Sequence, residues 1–239
     1  MALALDRRTM GLAIALVALM AGLAAAATVT IQDGTFQNAD WTASIEVING
    51  GGSVIGYQVA AGGNPTSFRR IENTLNSAIG TGVANTVLGF HRFAGGVYDP
   101  AVGGPILSLS YSEDSQRISG GVQACGLALR QGGVVYYGPG FLTPTAFGTW
   151  ATTTQPALTA AQFDALAAGV QNPDFSVAGA PIEFGFYRSN STSTGGGGGT
   201  TYGGIDNWNV VLTVDAAVPA EASTWGGVKA LFRGDGGAR

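Results

Sequence analysis

From Thr28 to about Asp215, apolar and polar residues alternate with a period of two between glycine-rich breaks. Such alternation sends successive side chains to opposite faces of a strand. On this pattern Ala43, Ile45 and Val47 share one face. Leu107, Leu109 and Tyr111 share another, with Ser108 and Ser110 opposite. Ile182, Phe184 and Phe186 line one face of residues 181–188, and Glu183 and Tyr187 point the other way. Trp208, Val210, Leu212 and Val214 line one face of the last strand. Gly50-Gly51-Gly52, Gly62-Gly63-Asn64-Pro65 and Gly120-Gly121 are among the breaks. The pattern predicts about ten strands with almost no helix between them. A parallel sheet would need crossover helices, so the expectation is an all-β, two-sheet antiparallel sandwich or a barrel.

One short helix fits the pattern. Thr159 and Gln162 stand in a capping-box arrangement, and Phe163, Leu166, Ala167 and Val170 follow at helical spacing. Asn172-Pro173 ends the segment. Residues 189–204 are of low complexity, with glycine at every position from Gly195 to Gly199. They read as a mobile surface loop, either a permissive insertion or the border of a ligand site. Cys125 alternates with Leu127 and Leu129, which suits a small buried hydrophobe.

Composition narrows the class. Charged residues are 11% of the 239, and hydrophobic residues are 46%. That is enough apolar material for a core, and the wrong balance for a disordered chain. The 39 glycines have no three-residue period, which excludes collagen. The formal charge is −4 and Lys229 is the single lysine, so no basic surface exists for nucleic acid. Residues 1–27 read as a secretory signal peptide: Arg7 and Arg8, an uncharged apolar stretch from Gly11 to Leu23, then alanines at 24–27. The apolar stretch is too short for a membrane span. The domain then covers residues 28–215, secreted, at the cell surface or in the periplasm. In an oxidising compartment the lone thiol of Cys125 can pair only with another molecule.

Two short segments carry a resemblance. Asp33-Gly34-Thr35-Phe36 with Ala39-Asp40-Trp41 is similar to the opening of galactose-binding-like carbohydrate-binding modules. Gly204-Ile205-Asp206-Asn207-Trp208 is similar to their closing strand. The chain thus resembles secreted bacterial jelly-roll modules of the galactose-binding-like and concanavalin A-like kind. The resemblance implies a jelly-roll sandwich with neighbouring terminal strands, a glycan ligand, and a structural calcium near Asp33 and Asp206. Asp206 shares the parity of Trp208 and is expected to point inward, where a carboxylate needs a partner. That partner is either calcium or a set of backbone amides. Gln37 stands where the family carries a glutamate, and a neutral amide is a weaker calcium ligand.

Catalytic chemistry finds little support. His91, the sole histidine, is flanked by aromatics and reads as a strand residue with a satisfied hydrogen bond. One histidine and one cysteine cannot build the usual zinc site. No pair of carboxylates has the same-face spacing of a glycosidase strand, and Glu113-Asp114 reads as a polar turn after Tyr111. Glu183 and Tyr187 share a strand face, and Arg130, Tyr136 and Tyr137 could add to it. A carboxylate accepts hydrogen bonds from hydroxyls, and an aromatic ring packs on the apolar face of a sugar. The same face could instead be plain solvated surface.

The tail at residues 216–239 opens on Val218-Pro219-Ala220-Glu221 and resembles the start of bacterial C-terminal sorting signals. It lacks their apolar span, so it reads as a frayed end or as a short docking segment for surface-attachment machinery. Three functions stand at this point. The foremost is an exported, non-catalytic glycan-binding module. The others are a structural surface or matrix component, and a polysaccharide-active enzyme.

Overall fold

The computed structural model describes residues 26–215. The segment expected to be a signal peptide, apart from Ala26 and Ala27, and the whole of residues 216–239 lie outside the described residues. The strands are β1 (Ala26–Asp33), β2 (Trp41–Asn49), β3 (Gly52–Val59), β4 (Phe68–Leu75), β5 (Thr86–Tyr98), β6 (Ile106–Ser119), β7 (Ala124–Gln131), β8 (Val134–Tyr137), β9 (Phe141–Leu142), β10 (Trp150–Leu158), β11 (Asp164–Ala165), β12 (Ile182–Ser191) and β13 (Gly199–Asp215). They form two antiparallel sheets. Sheet I has the order β10-β6-β13-β4-β3, with β1 also paired to β13. Sheet II has the order β11-β8-β7-β12-β5-β2, with β9 paired to β7. The terminal strands are neighbours, running from Ala26 opposite Asp215 to Asp33 opposite Trp208. This is the two-sheet antiparallel sandwich expected from the alternation.

The core sits between the sheets. Ile182, Phe184 and Phe186 from sheet II meet Trp208, Val210, Leu212, Leu109 and Tyr111 from sheet I, all with essentially no exposure. Trp41 packs edge-on to Trp208 at 5.2 Å and against Phe36, Phe93 and Phe186. Truncating such a residue to alanine costs about 3–5 kcal/mol, so this aromatic knot is the mechanical centre of the sandwich. Cys125 is free and is buried, as its alternation with Leu127 and Leu129 predicts. Burial pushes its thiol up to about 12.

Bulges overturn several parity readings. A register shift between Ile45 and Val47 splits that triplet, and Val47 joins a second cluster on the outer face of sheet II. A shift near Ile106 buries Ile106 and leaves Leu107 half-exposed. A bulge between Asp206 and Asn209, with Asn207 at φ 48°, turns Asp206 to the outer face of sheet I. Glu113-Asp114 is no turn. It lies inside β6, with Glu113 directed inward and Asp114 outward.

The predicted helix does not form. The capping box at Thr159 and Gln162 is present, but it closes only a 3-10 turn at Ala160–Gln162. Phe163 then turns into the core, Asp164–Ala165 pair with β8, and Leu166 and Val170 stay exposed. Gly169 at φ 79° breaks what remains. So short a segment cannot offset the cost of nucleation without an apolar face to bury. Among the described residues the α-helix that does form is α1 (Pro100–Gly103), capped by the Asp99 side chain. The low-complexity loop is also shorter than expected, because β12 extends to Ser191 and β13 begins at Gly199.

Among the described residues no helix is long and apolar enough to cross a membrane.

Candidate functional site

The outer face of sheet II gathers most of the residues picked from the sequence. Strand β12 is central, between β7 and β5, so Glu183 stands opposite Arg130 and Tyr187 stands between Gly126 and Phe90. Tyr137 follows across β8, opposite Ala128. Tyr136 is the exception. It lies between the sheets with the core and is 6% exposed. Consecutive strand residues cannot share a face, so only one of the two tyrosines can serve this surface.

The charged groups form a ladder. Arg92 Nη1 donates to Glu183 Oε1. Arg130 reaches the other oxygen of Glu183 at 3.9 Å and donates to Glu46 Oε1 at 3.2 Å. It also crosses the Phe90 ring, with Cζ 5.1 Å from the centroid. Arg92, Glu183, Arg130 and Glu46 each keep between 21% and 31% of their side chain exposed. Beneath them Leu88, Phe90, Ala128, Val135 and Tyr187 make a buried apolar floor. Tyr137 and Tyr187 meet edge-on at 5.6 Å. Burial, and then the Glu46 charge, hold the Tyr137 phenol well above its usual range. Its hydroxyl is shielded from solvent and has no hydrogen-bond partner among the described residues.

Arg92 and Glu46 were not picked from the sequence. The parity of β5 puts Arg92 outward, opposite His91 and Phe93, and that signal was readable. Glu46 sits in the β2 bulge, where parity fails. His91 also departs from expectation: it is fully buried, stacked on Phe186 at 4.7 Å, and among the described residues neither ring nitrogen has a partner.

The expected calcium ligands are engaged by the protein itself. Asp33 accepts from Thr35 N, Thr35 Oγ1, Phe36 N and Trp41 Nε1, at 2.6–3.0 Å. Asp206 accepts from Asn64 N at 2.6 Å and Asn207 N at 2.7 Å. Asp114, beside it, accepts from the side-chain amides of Asn64 and Asn207. Calcium takes six to eight oxygen ligands, and N–H and O–H donors engage these carboxylates instead. Among the described residues no three acidic, histidine or cysteine side chains cluster as a metal site. The residues present do not fit the ion: they make a hydrogen-bonded clasp.

No family model and no curated protein sequence matches the chain. Several solved structures are similar in fold. One is a family 11 carbohydrate-binding module from Clostridium thermocellum, in complex with a β-1,3-1,4-mixed-linked tetrasaccharide. It is 11% identical, with 78% of this chain and 96% of that one covered and a TM-score of 0.44. Another is the CBM22-1 xylan-binding domain from Paenibacillus barcinonensis Xyn10C, 11% identical, with 82% and 100% covered and a TM-score of 0.39. A third is a mannan-recognising module, 8% identical, with 78% and 98% covered and a TM-score of 0.38. These likenesses concern the course of the backbone and do not bear on the ladder residues.

Proposed function

We propose that this protein is an exported, non-catalytic glycan-binding module, and that its site is the outer face of sheet II. The ladder Arg92–Glu183–Arg130–Glu46 over an aromatic floor is the observation that carries the reading. A sugar offers adjacent hydroxyls that both donate and accept, together with an apolar ring face. Carboxylate and guanidinium groups held in register meet the hydroxyls bidentately, and Tyr137 supplies a partly exposed ring. Both glutamates are held by arginines, an arrangement that suits binding more than proton transfer to a leaving group. The signal-peptide pattern of residues 1–27 supports export.

The test is titration of residues 26–215 within the full secreted chain against mixed-linked β-glucan, xylan, mannan and other neutral glycans. At least one should bind, and Glu183→Gln should weaken it about tenfold, as loss of a central polar anchor does. Silence across the panel at millimolar sugar would overturn the reading.

A further inference from the structure

The outer face of sheet I carries a second set of aromatic and cationic side chains. Strand registers align Tyr57 with Arg70, Arg70 with Gly204, Gly204 with Gln116, and Gln116 with Trp150. The row crosses five strands, about 19 Å at the usual spacing. An outer sheet face of a sandwich is ordinarily polar, yet here Tyr57, Tyr202 and Trp150 are all half-exposed.

The arginine in this row is free to bind. The Arg70 guanidinium lies 4.3 Å over the Tyr202 ring and 6.0 Å from that of Tyr57. Among the described residues it has no hydrogen-bond acceptor and no carboxylate within 4.0 Å, and its shielded Nε is unpartnered. Every other arginine on an outer sheet face is engaged: Arg92 and Arg130 by glutamates, Arg117 by the carbonyls of Gly120 and Thr145. Stacking on Tyr202 holds the planar fork in place without using its N–H groups. The nearby carboxylates Asp114 and Asp206 are tied to Asn64 and Asn207 and do not reach it. Glu72 lies two register positions away, opposite Tyr202.

At the other end of the row, the Trp150 ring folds back over Gly204. A Cβ on Gly204 would stand 2.8 Å from its Cη2, so glycine is required there for the ring to lie flat. Phe68 braces the ring edge-on at 5.4 Å, and the indole N–H is tied to the Gly62 carbonyl at 3.1 Å. The result is one fixed ring platform at Trp150 and, farther along the row, an unpaired planar cation stacked on Tyr202.

We infer that this face is a second glycan site, selective for acidic sugars: the Arg70 fork, held by Tyr202, takes the carboxylate of a uronate while Trp150 takes the ring face of a neighbouring sugar along the chain. It differs in charge from the self-neutralised ladder on sheet II and does not depend on it.

The probe is polygalacturonate, with poly-L-glutamate as a carboxylate polymer without sugar rings and a neutral glucan as a ring polymer without charge. The full chain should bind polygalacturonate, more weakly as salt rises. Arg70→Gln and Tyr202→Leu should each reduce affinity about tenfold, with unchanged thermal midpoints. Arg70→Lys, which keeps charge but loses the fork, should also lose binding. Glu183→Gln should leave polygalacturonate binding intact. Absence of polygalacturonate binding would overturn this site alone and leave the sheet II reading standing. Loss in Glu183→Gln with none in Arg70→Gln would also overturn it. So would equal affinity for poly-L-glutamate, which would make the face a carboxylate or peptide surface instead.

Discussion

Arg188 and Glu113 meet between the two sheets as a bidentate ion pair with no exposed surface on either side chain. Arg188 Nη2 donates to Glu113 Oε1 at 2.6 Å and Nη1 to Oε2 at 3.1 Å. The Tyr111 hydroxyl donates to the same Oε2, and the guanidinium lies 4.9 Å over Phe186. Burial pushes the Glu113 carboxyl up, and the Arg188 charge pulls it back. The pair crosses from β12 to β6, so it fixes the register of one sheet on the other.

Removing one partner leaves a buried charge without compensation, which costs about 3–5 kcal/mol. Glu113→Gln and Arg188→Met are therefore each expected to lower the urea midpoint sharply. The double variant Arg188→Met with Glu113→Leu should cost less than either single change, because it leaves no orphaned charge. If the single variants cost under about 1 kcal/mol, the pair is solvated and the sandwich is looser than the structure shows.

His91 makes stability depend on pH. Burial first, and then the charges of Arg69 and Arg188, hold its imidazole well below 6.5. It stays neutral in the fold, whereas the unfolded chain takes up a proton near pH 6.5. Stability is then full above that value and falls as pH drops through it. The slope approaches about 1.4 kcal/mol per pH unit. The raised Glu113 carboxyl acts in the opposite sense, but only nearer its own range. Urea unfolding at pH 7.5 and 5.5 should show the loss, and His91→Gln should remove it. An unchanged midpoint in the wild type would mean that His91 finds a partner for its proton.

How much of this was legible follows the bulges. The pairing of β12 with β7 is regular through Glu183, Phe184, Phe186 and Tyr187, and the irregularity beside it falls in β5, so period-two reading assigned every face of β12. It failed where one extra residue reverses parity: at Leu107, at Val47 and at Asp206. It also failed for Tyr136, which was grouped with its neighbour against strand geometry. The partnership of Arg130 with Glu46 was unreadable for another reason. It depends on the order β7-β12-β5-β2, set by contacts far apart in sequence. The helix after Thr159 was a local signal overruled by burial of Phe163.

Asp33 gives the last test, because it decides between a cation and a clasp. Burial works to raise its carboxyl, but bonds from Trp41, Thr35 and Phe36 outweigh it and hold the carboxyl below 3.8. Its contribution is present above the ordinary aspartate range and is lost as pH falls through the depressed value. Asp33→Ala strips the turn of four hydrogen bonds and leaves the Trp41 indole N–H buried without a partner. Such an orphan costs about 1–3 kcal/mol. Phe36, held at φ 52° by this turn, adds strain once the anchor is gone. Since N–H donors already engage Asp33, Asp114 and Asp206, calcium has no open carboxylate to enter. Scans with added calcium and with EDTA should give the same thermal midpoint, in the wild type and in Asn64→Ala alike. A ligand that binds only the folded state raises that midpoint in proportion to its occupancy. A calcium-dependent rise of several degrees, abolished by Asp33→Ala, would therefore show that the turn opens to take the ion.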